Sequence, residues 1–457
     1  MQEKNKEKQT KAENYTSGNI KIAMIRLSIP LILGNILQQL YNTIDAWVVG
    51  KFAGTEEFAA IGVAGTVMNL FLFAIVGACV GISVLFSQLY GLGDMEQFRK
   101  EHFQSLMIGI VGSIVLALLG FVSMPMLLHV MRTPKEIEGY VRGYLSIILL
   151  GLPAAYIYNL YNSLLRSVGN VKAALYILAA AAGGNLVLDL LFVGKLQWGI
   201  EGAAIATVLA QIFSAILCMG YLRTAMREFM FRRKDWGISG DLLKKTVSFG
   251  MISALHQAGL YIGKFFVQGA INTGGTDLIA AYTATTRIEG FANSFGDSGA
   301  SATSVVVAQN YGAGKKDRVK KSFWDSFLLL MLLGLVSSVI LYTTAGSTVA
   351  FMLGSRTGIA YEQAVKYLHL VSLFYVFCFI GNTFVGSFNG QGHPIYTCIG
   401  AISHISIRVV ISWIFIGAYA LPAVAVGTGI GWVYVNVFWA VMRKRLNSTK
   451  ISQNLTK

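Results

Sequence analysis

The sequence predicts an all-α polytopic membrane protein: twelve transmembrane helices in two pseudo-symmetric six-helix lobes. Three observations carry that prediction. Of 457 residues, 54% are hydrophobic and only 13% are charged, about half the charged share of a soluble domain. Twelve segments are long and apolar enough to span a bilayer. The second half of the chain repeats features of the first at an offset of 221 residues. Composition excludes disorder, collagen and coiled coil, and long uncharged stretches argue against a soluble enzyme.

The elements follow in chain order. Residues 1–20 are polar and lack the apolar core of a signal peptide, so they are expected to form a solvated cytoplasmic tail. The N-lobe, 21–225, holds segments 22–50, 58–90, 103–129, 139–165, 173–194 and 200–222. The run from Phe58 to Gly93 has 36 residues without a charge. At 1.5 Å per residue it measures about 54 Å and must tilt, bend or protrude. A basic linker, 226–240, leads into the C-lobe, 241–445, with segments 246–272, 278–308, 322–352, 363–388, 395–419 and 421–442. Residues 446–457 form a second cytoplasmic tail.

The repeat joins the lobes. SQLYGLG (87–93) aligns with AQNYGAG (308–314), and residues 54–93 match 275–314 at 10 of 40 positions without a gap. Six crossings per half leave the halves in the same orientation, the plan of a secondary transporter. The paired glycine turns read as helix C-terminal glycines, not phosphate loops, because each joins two membrane helices. The chain contains no GxxxxGK[ST], so nothing in it points to ATP hydrolysis.

Net charge is +15. In a soluble chain that balance would suggest nucleic acid, but here its placement reports topology. Of 37 basic residues, 27 fall on the side holding both termini and the linker, and 7 fall on the other. The positive-inside rule puts the crowded side in the cytoplasm of a cell-membrane protein. Cys79, Cys218, Cys378 and Cys398 sit in apolar stretches without metal spacing and read as core residues.

Few ionisable residues lie at mid-membrane depth, where an acid costs roughly 2.5–3.5 kcal/mol. Asp45 is the first. Asn35, Gln38, Asn42 and Asp45 form one helical stripe, Tyr41 is one turn before Asp45, and Pro30 can kink the same segment. Asp189 is the second, with Asn185 four residues before it; Thr207 and Gln211 form a similar pair on segment 6. Two carboxylates, an amide and a hydroxyl suit a proton or a dehydrated Na⁺. The bland alternative is polar helix packing. Glu289, Asn293 and Asp297 recur at i+4 on segment 8, near Arg287 and across from Lys264 and His256. They read as an internal salt-bridge network of Lys264, Arg287, Glu289 and Asp297, or as an acidic cavity wall. His369 and His404 read as packing residues, His102 and His129 as interfacial ones.

Twelve helices, the 221-residue repeat, the paired QxYGxG turns and a first helix ending in DAWVVG resemble the MATE (multidrug and toxic compound extrusion) transporters, over essentially the whole chain after the tail. The resemblance implies export of varied, often cationic compounds and drugs, driven by inward H⁺ or Na⁺, with no other cofactor. It implies a cation-coupling set at Asp45, Asn185, Asp189 and Thr207, a helix-bending role for Pro30, and cavity roles for Tyr41 and Tyr144. Gln38, Asn42, Glu289, Asn293 and Asp297 are further cavity candidates. NorM-like members carry acids on helices 7 and 10; here those stretches lack them, which brings the chain closer to the DinF-like branch.

The expected partners are small-molecule substrates and the lipid bilayer, with no nucleic acid, for a monomer. The alternative is a lipid-linked saccharide flippase of the same superfamily. Its pyrophosphate cargo would favour several cavity cations, yet 3 intramembrane basic residues face 4 acids. A membrane-embedded enzyme would need a constellation such as HExxH, and the sequence has none.

Overall fold

The structure, a computed structural model, describes residues 12–455 except Arg132. It is helical throughout: α1 (Ile20–Phe52), α2 (Thr55–Leu92), α3 (Met95–Val130), α4 (Lys135–Ser167), α5 (Val171–Asp189), α6 (Gly199–Ala225), α7 (Gly240–Asn272), α8 (Thr276–Gly312), α9 (Lys316–Leu353), α10 (Ile359–Ser372), α11 (Tyr375–Gly390), α12 (Pro394–Tyr419) and α13 (Leu421–Leu455). Each of the twelve predicted segments is a helix. The tenth is broken into α10 and α11, which meet at 54°.

Among the described residues, nine helices qualify as spans by length and composition, and the bent pair makes ten. The long helices α7 and α8 fall short of that apolar content because they carry His256, Lys264, Arg287, Glu289 and Asp297 within their length. These are the helices on which polar function concentrates in the second half of the chain.

The chain divides into two units, one built on Ile29–Ala254, the other on Leu255–Tyr311 and the chain from Lys315 onward together with Ser17–Ser28. In the first, α4 is central, and Leu145, Leu149, Leu152, Leu160 and Leu164 are buried with Phe71 and Ile75 of α2. In the second, Tyr367, Val371, Tyr375 and Phe379 of α10 and α11 form the buried centre. Helices in lipid gain little from burying apolar surface against each other, so close packing must hold them. Gly386 shows how: a Cβ there would lie 2.5 Å from the Ala300 carbonyl oxygen. Only glycine lets α11 approach α8 so closely.

Helix ends follow their local chemistry. Asp94 caps α3 by accepting from the Gln97 N–H at 2.9 Å. Gly93 closes α2 in the left-handed region, φ 80°, where a side chain would be strained. The YGLG turn is therefore a helix C-cap, as predicted.

Two expectations need correction. The described part of the N-tail is docked: the Glu13 N–H donates to the Val168 carbonyl at 2.9 Å, and Tyr15 is buried. Its aromatic ring prefers a protein surface to water. At the other end, α13 continues through Leu455 instead of ending near 442.

The linker folds onto α3. Buried Asp235 accepts from Arg99 Nε at 3.1 Å and from the Arg232 N–H at 2.8 Å. His102 Nδ1 meets the Phe229 carbonyl at 2.9 Å. Gln104 Oε1 accepts from the Ser239 N–H at 3.1 Å. Trp236 stacks on Phe103 with centroids 5.9 Å apart. His102 is therefore fully buried, not interfacial, because linker aromatics cover it.

Candidate functional site

In the first unit α1, α5 and α6 bring four predicted residues together. Asn185 and Asp189 are one turn apart on α5 and both are 1% exposed. The Asn185 amide donates to Asp189 Oδ2 at 2.7 Å and its oxygen accepts from the Thr207 N–H at 3.3 Å. Asp45 of α1 lies beside Asp189. Among the described residues, Asp45 Oδ1, Asp189 Oδ1 and Thr207 Oγ1 are buried oxygens without a hydrogen-bond partner.

Buried oxygens left without a partner are costly unless something fills the place. Two adjacent ionised carboxylates also repel, and a shared proton or a bound cation removes that repulsion. The donor set is all oxygen, which suits H⁺ or a hard cation such as Na⁺ and not a thiol-seeking metal. Among the described residues no group of three or more His, Cys, Asp and Glu gathers as a metal site, here or elsewhere.

The flanking candidates divide. Tyr41 sits beside Asp45, Asp189 and Thr207. Tyr144 is buried next to the same acids, but its hydroxyl points to Met68 Sδ at 3.5 Å. Gln38 is exposed on α1, and the Asn42 side chain lies outside the described residues. Pro30 lies within α1, which remains one continuous helix.

Immediately after Asp189 the chain makes a π turn, Leu190–Lys195. Such turns occur mostly as single-turn bulges at functional sites. No sequence signal marked it.

In the second unit the predicted salt-bridge network does not form: among the described residues, no ion pair joins Lys264, Arg287, Glu289 and Asp297. Buried Glu289 instead accepts from the Tyr367 hydroxyl at 3.0 Å. Arg408 Nη2 donates to the hydroxyls of Tyr367 at 3.3 Å and Tyr282 at 3.1 Å. Tyr375 donates to Asn293 Oδ1 at 3.2 Å. The five N–H donors of a guanidinium suit a niche lined with several acceptor oxygens, as the Tyr282 and Tyr367 hydroxyls provide here. Asp297 is exposed. Glu289 is thus locked into packing, while Asp297 is open.

Arg408, Tyr282, Tyr367 and Tyr375 were not among the candidate site residues. Arg408 was legible only as one of three basic residues within the predicted helices.

The MatE family profile matches residues 30–191 and again 253–414, two copies that coincide with the internal repeat. The chain is 26% identical over 379 residues to the probable multidrug resistance protein YpnP of Bacillus subtilis (82% of this chain, 83% of that protein). It is 26% identical over 356 residues to the DNA damage-inducible protein F of Escherichia coli (76% and 75%). Among solved structures, an outward-facing multidrug resistance MATE family transporter superposes with a TM-score of 0.89 at 24% identity (96% of this chain, 99% of that one). At that identity the superposition speaks for the fold.

Proposed function

Because this chain belongs to the MatE family, we propose that it is a secondary active antiporter of the cell membrane. It exports amphipathic organic compounds, cations in particular, in exchange for H⁺ or Na⁺, with both termini in the cytoplasm. Asp45, Asn185, Asp189 and Thr207 form its coupling site, Tyr41 and Tyr144 flank it, and Pro30 bends α1.

One observation carries the reading: Asp45 lies beside Asp189, and Asp45 Oδ1, Asp189 Oδ1 and Thr207 Oγ1 are all buried without a hydrogen-bond partner. Packing alone gains nothing from that arrangement, since an asparagine would pair more cheaply. A cation entering there couples to the membrane potential, and one charge moved through 100 mV supplies about 2.3 kcal/mol, roughly a fifty-fold gradient. The names of the relatives, multidrug resistance proteins among them, support drug export over the saccharide-lipid alternative. The lack of acids along α11 and the middle of α7 supports the DinF-like branch.

The test is efflux of a quaternary aromatic dye from everted vesicles, under a proton gradient alone and then a sodium gradient alone. One gradient should drive export, and Asp45→Asn should abolish it in a folded, inserted protein. Normal gradient-driven export by both Asp45→Asn and Asp189→Asn would eliminate this site as the coupling element.

A further inference from the structure

The stretch 223–245 carries seven basic residues against three acidic ones. One of the acids, Asp235, is buried and already paired with Arg99. Arg232, Arg233, Lys234, Lys244 and Lys245 are all exposed. Among the described residues none of these five forms an ion pair.

A positive-inside bias alone needs only charge, on a chain of any shape. This linker is shaped. Contacts to Arg99, His102, Phe103 and Gln104 of α3 hold it in one course. Its two 3-10 turns set the basic triplet Arg232–Lys234 directly before Trp236. Trp236 is 60% exposed and Ile238 is 64% exposed. Water is a poor cover for both, and the amphipathic ring of tryptophan favours the level where headgroups meet hydrocarbon.

We infer that the folded linker, with Arg232, Arg233, Lys234, Lys244, Lys245 and Trp236, is a binding site for anionic phospholipid of the adjacent leaflet. Phosphate headgroups meet the guanidinium and ammonium groups, and acyl chains cover Trp236 and Ile238. The occupant follows from complementarity: clustered fixed cations beside an uncovered aromatic match a molecule that is anionic at one end and apolar at the other. An acidic protein would satisfy the charges and leave the apolar pair uncovered.

The test uses the full-length protein in neutral detergent, with phosphatidylglycerol or phosphatidylcholine titrated into the micelles and thermal melting as the readout. It depends on neither the orientation nor the transport activity proposed above, so its failure leaves those standing. Phosphatidylglycerol should raise the melting temperature saturably and phosphatidylcholine should not. The triple variant Arg232→Gln, Arg233→Gln, Lys234→Gln should need roughly ten- to a hundredfold more phosphatidylglycerol for half the shift. Trp236→Ala should need a few-fold more. A control triple variant, Lys316→Gln, Lys320→Gln, Lys321→Gln, removes equal charge from the exposed start of α9 and should behave as wild type. The inference is overturned if the linker triple variant keeps the wild-type midpoint, if the control loses as much, or if phosphatidylcholine does as well.

Discussion

The Tyr367 hydroxyl donates to Glu289 Oε2 across 3.0 Å, from a side chain with no exposure. The Tyr367 hydroxyl oxygen in turn accepts from Arg408 Nη2. One phenol thus links the buried acid of α8 to the buried cation of α12, and this assigns Glu289 and Asp297 different roles although they share a helix face.

Glu289→Gln leaves Arg408 buried opposite a neutral side chain. Glu289 and Arg408 are linked through the Tyr367 hydroxyl, and a hydrogen bond to a charged group is worth about 1.5–3 kcal/mol, so folded yield and melting temperature in detergent should drop while export per folded molecule persists. Asp297→Asn should do the reverse, sparing yield and weakening export of lipophilic cations. Export and yield measured together decide; intact yield with lost export in Glu289→Gln would move that acid into the cavity.

Asn185→Ala removes the donor to Asp189 and the acceptor for Thr207. A hydrogen bond to a charged group is worth about 1.5–3 kcal/mol. The apparent affinity for the coupling ion, read from the ion dependence of dye export in liposomes, should fall roughly ten- to a hundredfold. An unchanged ion dependence would make Asn185 a packing residue.

Orientation is open to thiol labelling, because three of the four native cysteines are buried and Cys378 is half-buried. Ile238→Cys should be protected from an impermeant maleimide in intact cells. Leu196→Cys, exposed in the turn after the π segment, should react. The opposite pattern would invert the topology.

Asp235→Asn loosens the linker by weakening its hold on Arg99. Tryptic cleavage at Arg232, Arg233 or Lys234 should then run several-fold faster than in wild type, with stability lowered by up to roughly 3–5 kcal/mol, the cost of breaking a buried pair. Equal cleavage rates would mean that the other α3 contacts suffice.

Gly386→Val forces a side chain into the α8–α11 approach. Overpacking costs about 1–3 kcal/mol. The midpoint of thermal unfolding should fall accordingly, whereas Gly417→Val, where nothing lies within 4 Å, should leave it in place.

The bilayer made most of the fold legible. Lipid demands long apolar helices, and the predicted segments match the observed helices closely at most ends. The cluster of Asp45, Asn185, Asp189 and Thr207 was legible for a related reason: an acid at depth is rare, and its oxygen-bearing neighbours recur one turn away. Arg408 escaped because its partners Tyr282 and Tyr367 lie 126 and 41 residues away and a lone arginine has no spacing to read. The linker escaped likewise. Asp235 looks like one member of the charge run RRKD, and only its contact with Arg99, 136 residues distant, sets it apart.

The π turn after Asp189 has a consequence for chain length. A turn closed i to i+5 holds one residue more than the α turn it replaces. Deleting a single residue from Leu190–Lys195 lets an α turn close in its place, so the following backbone keeps its heading. The wide turn therefore absorbs one residue locally, leaving the Leu196–Trp198 turn aimed as before relative to the acid. A relative whose sequence aligns with a one-residue gap at this point would carry the same carboxylate under the same turn, without the bulge beside it.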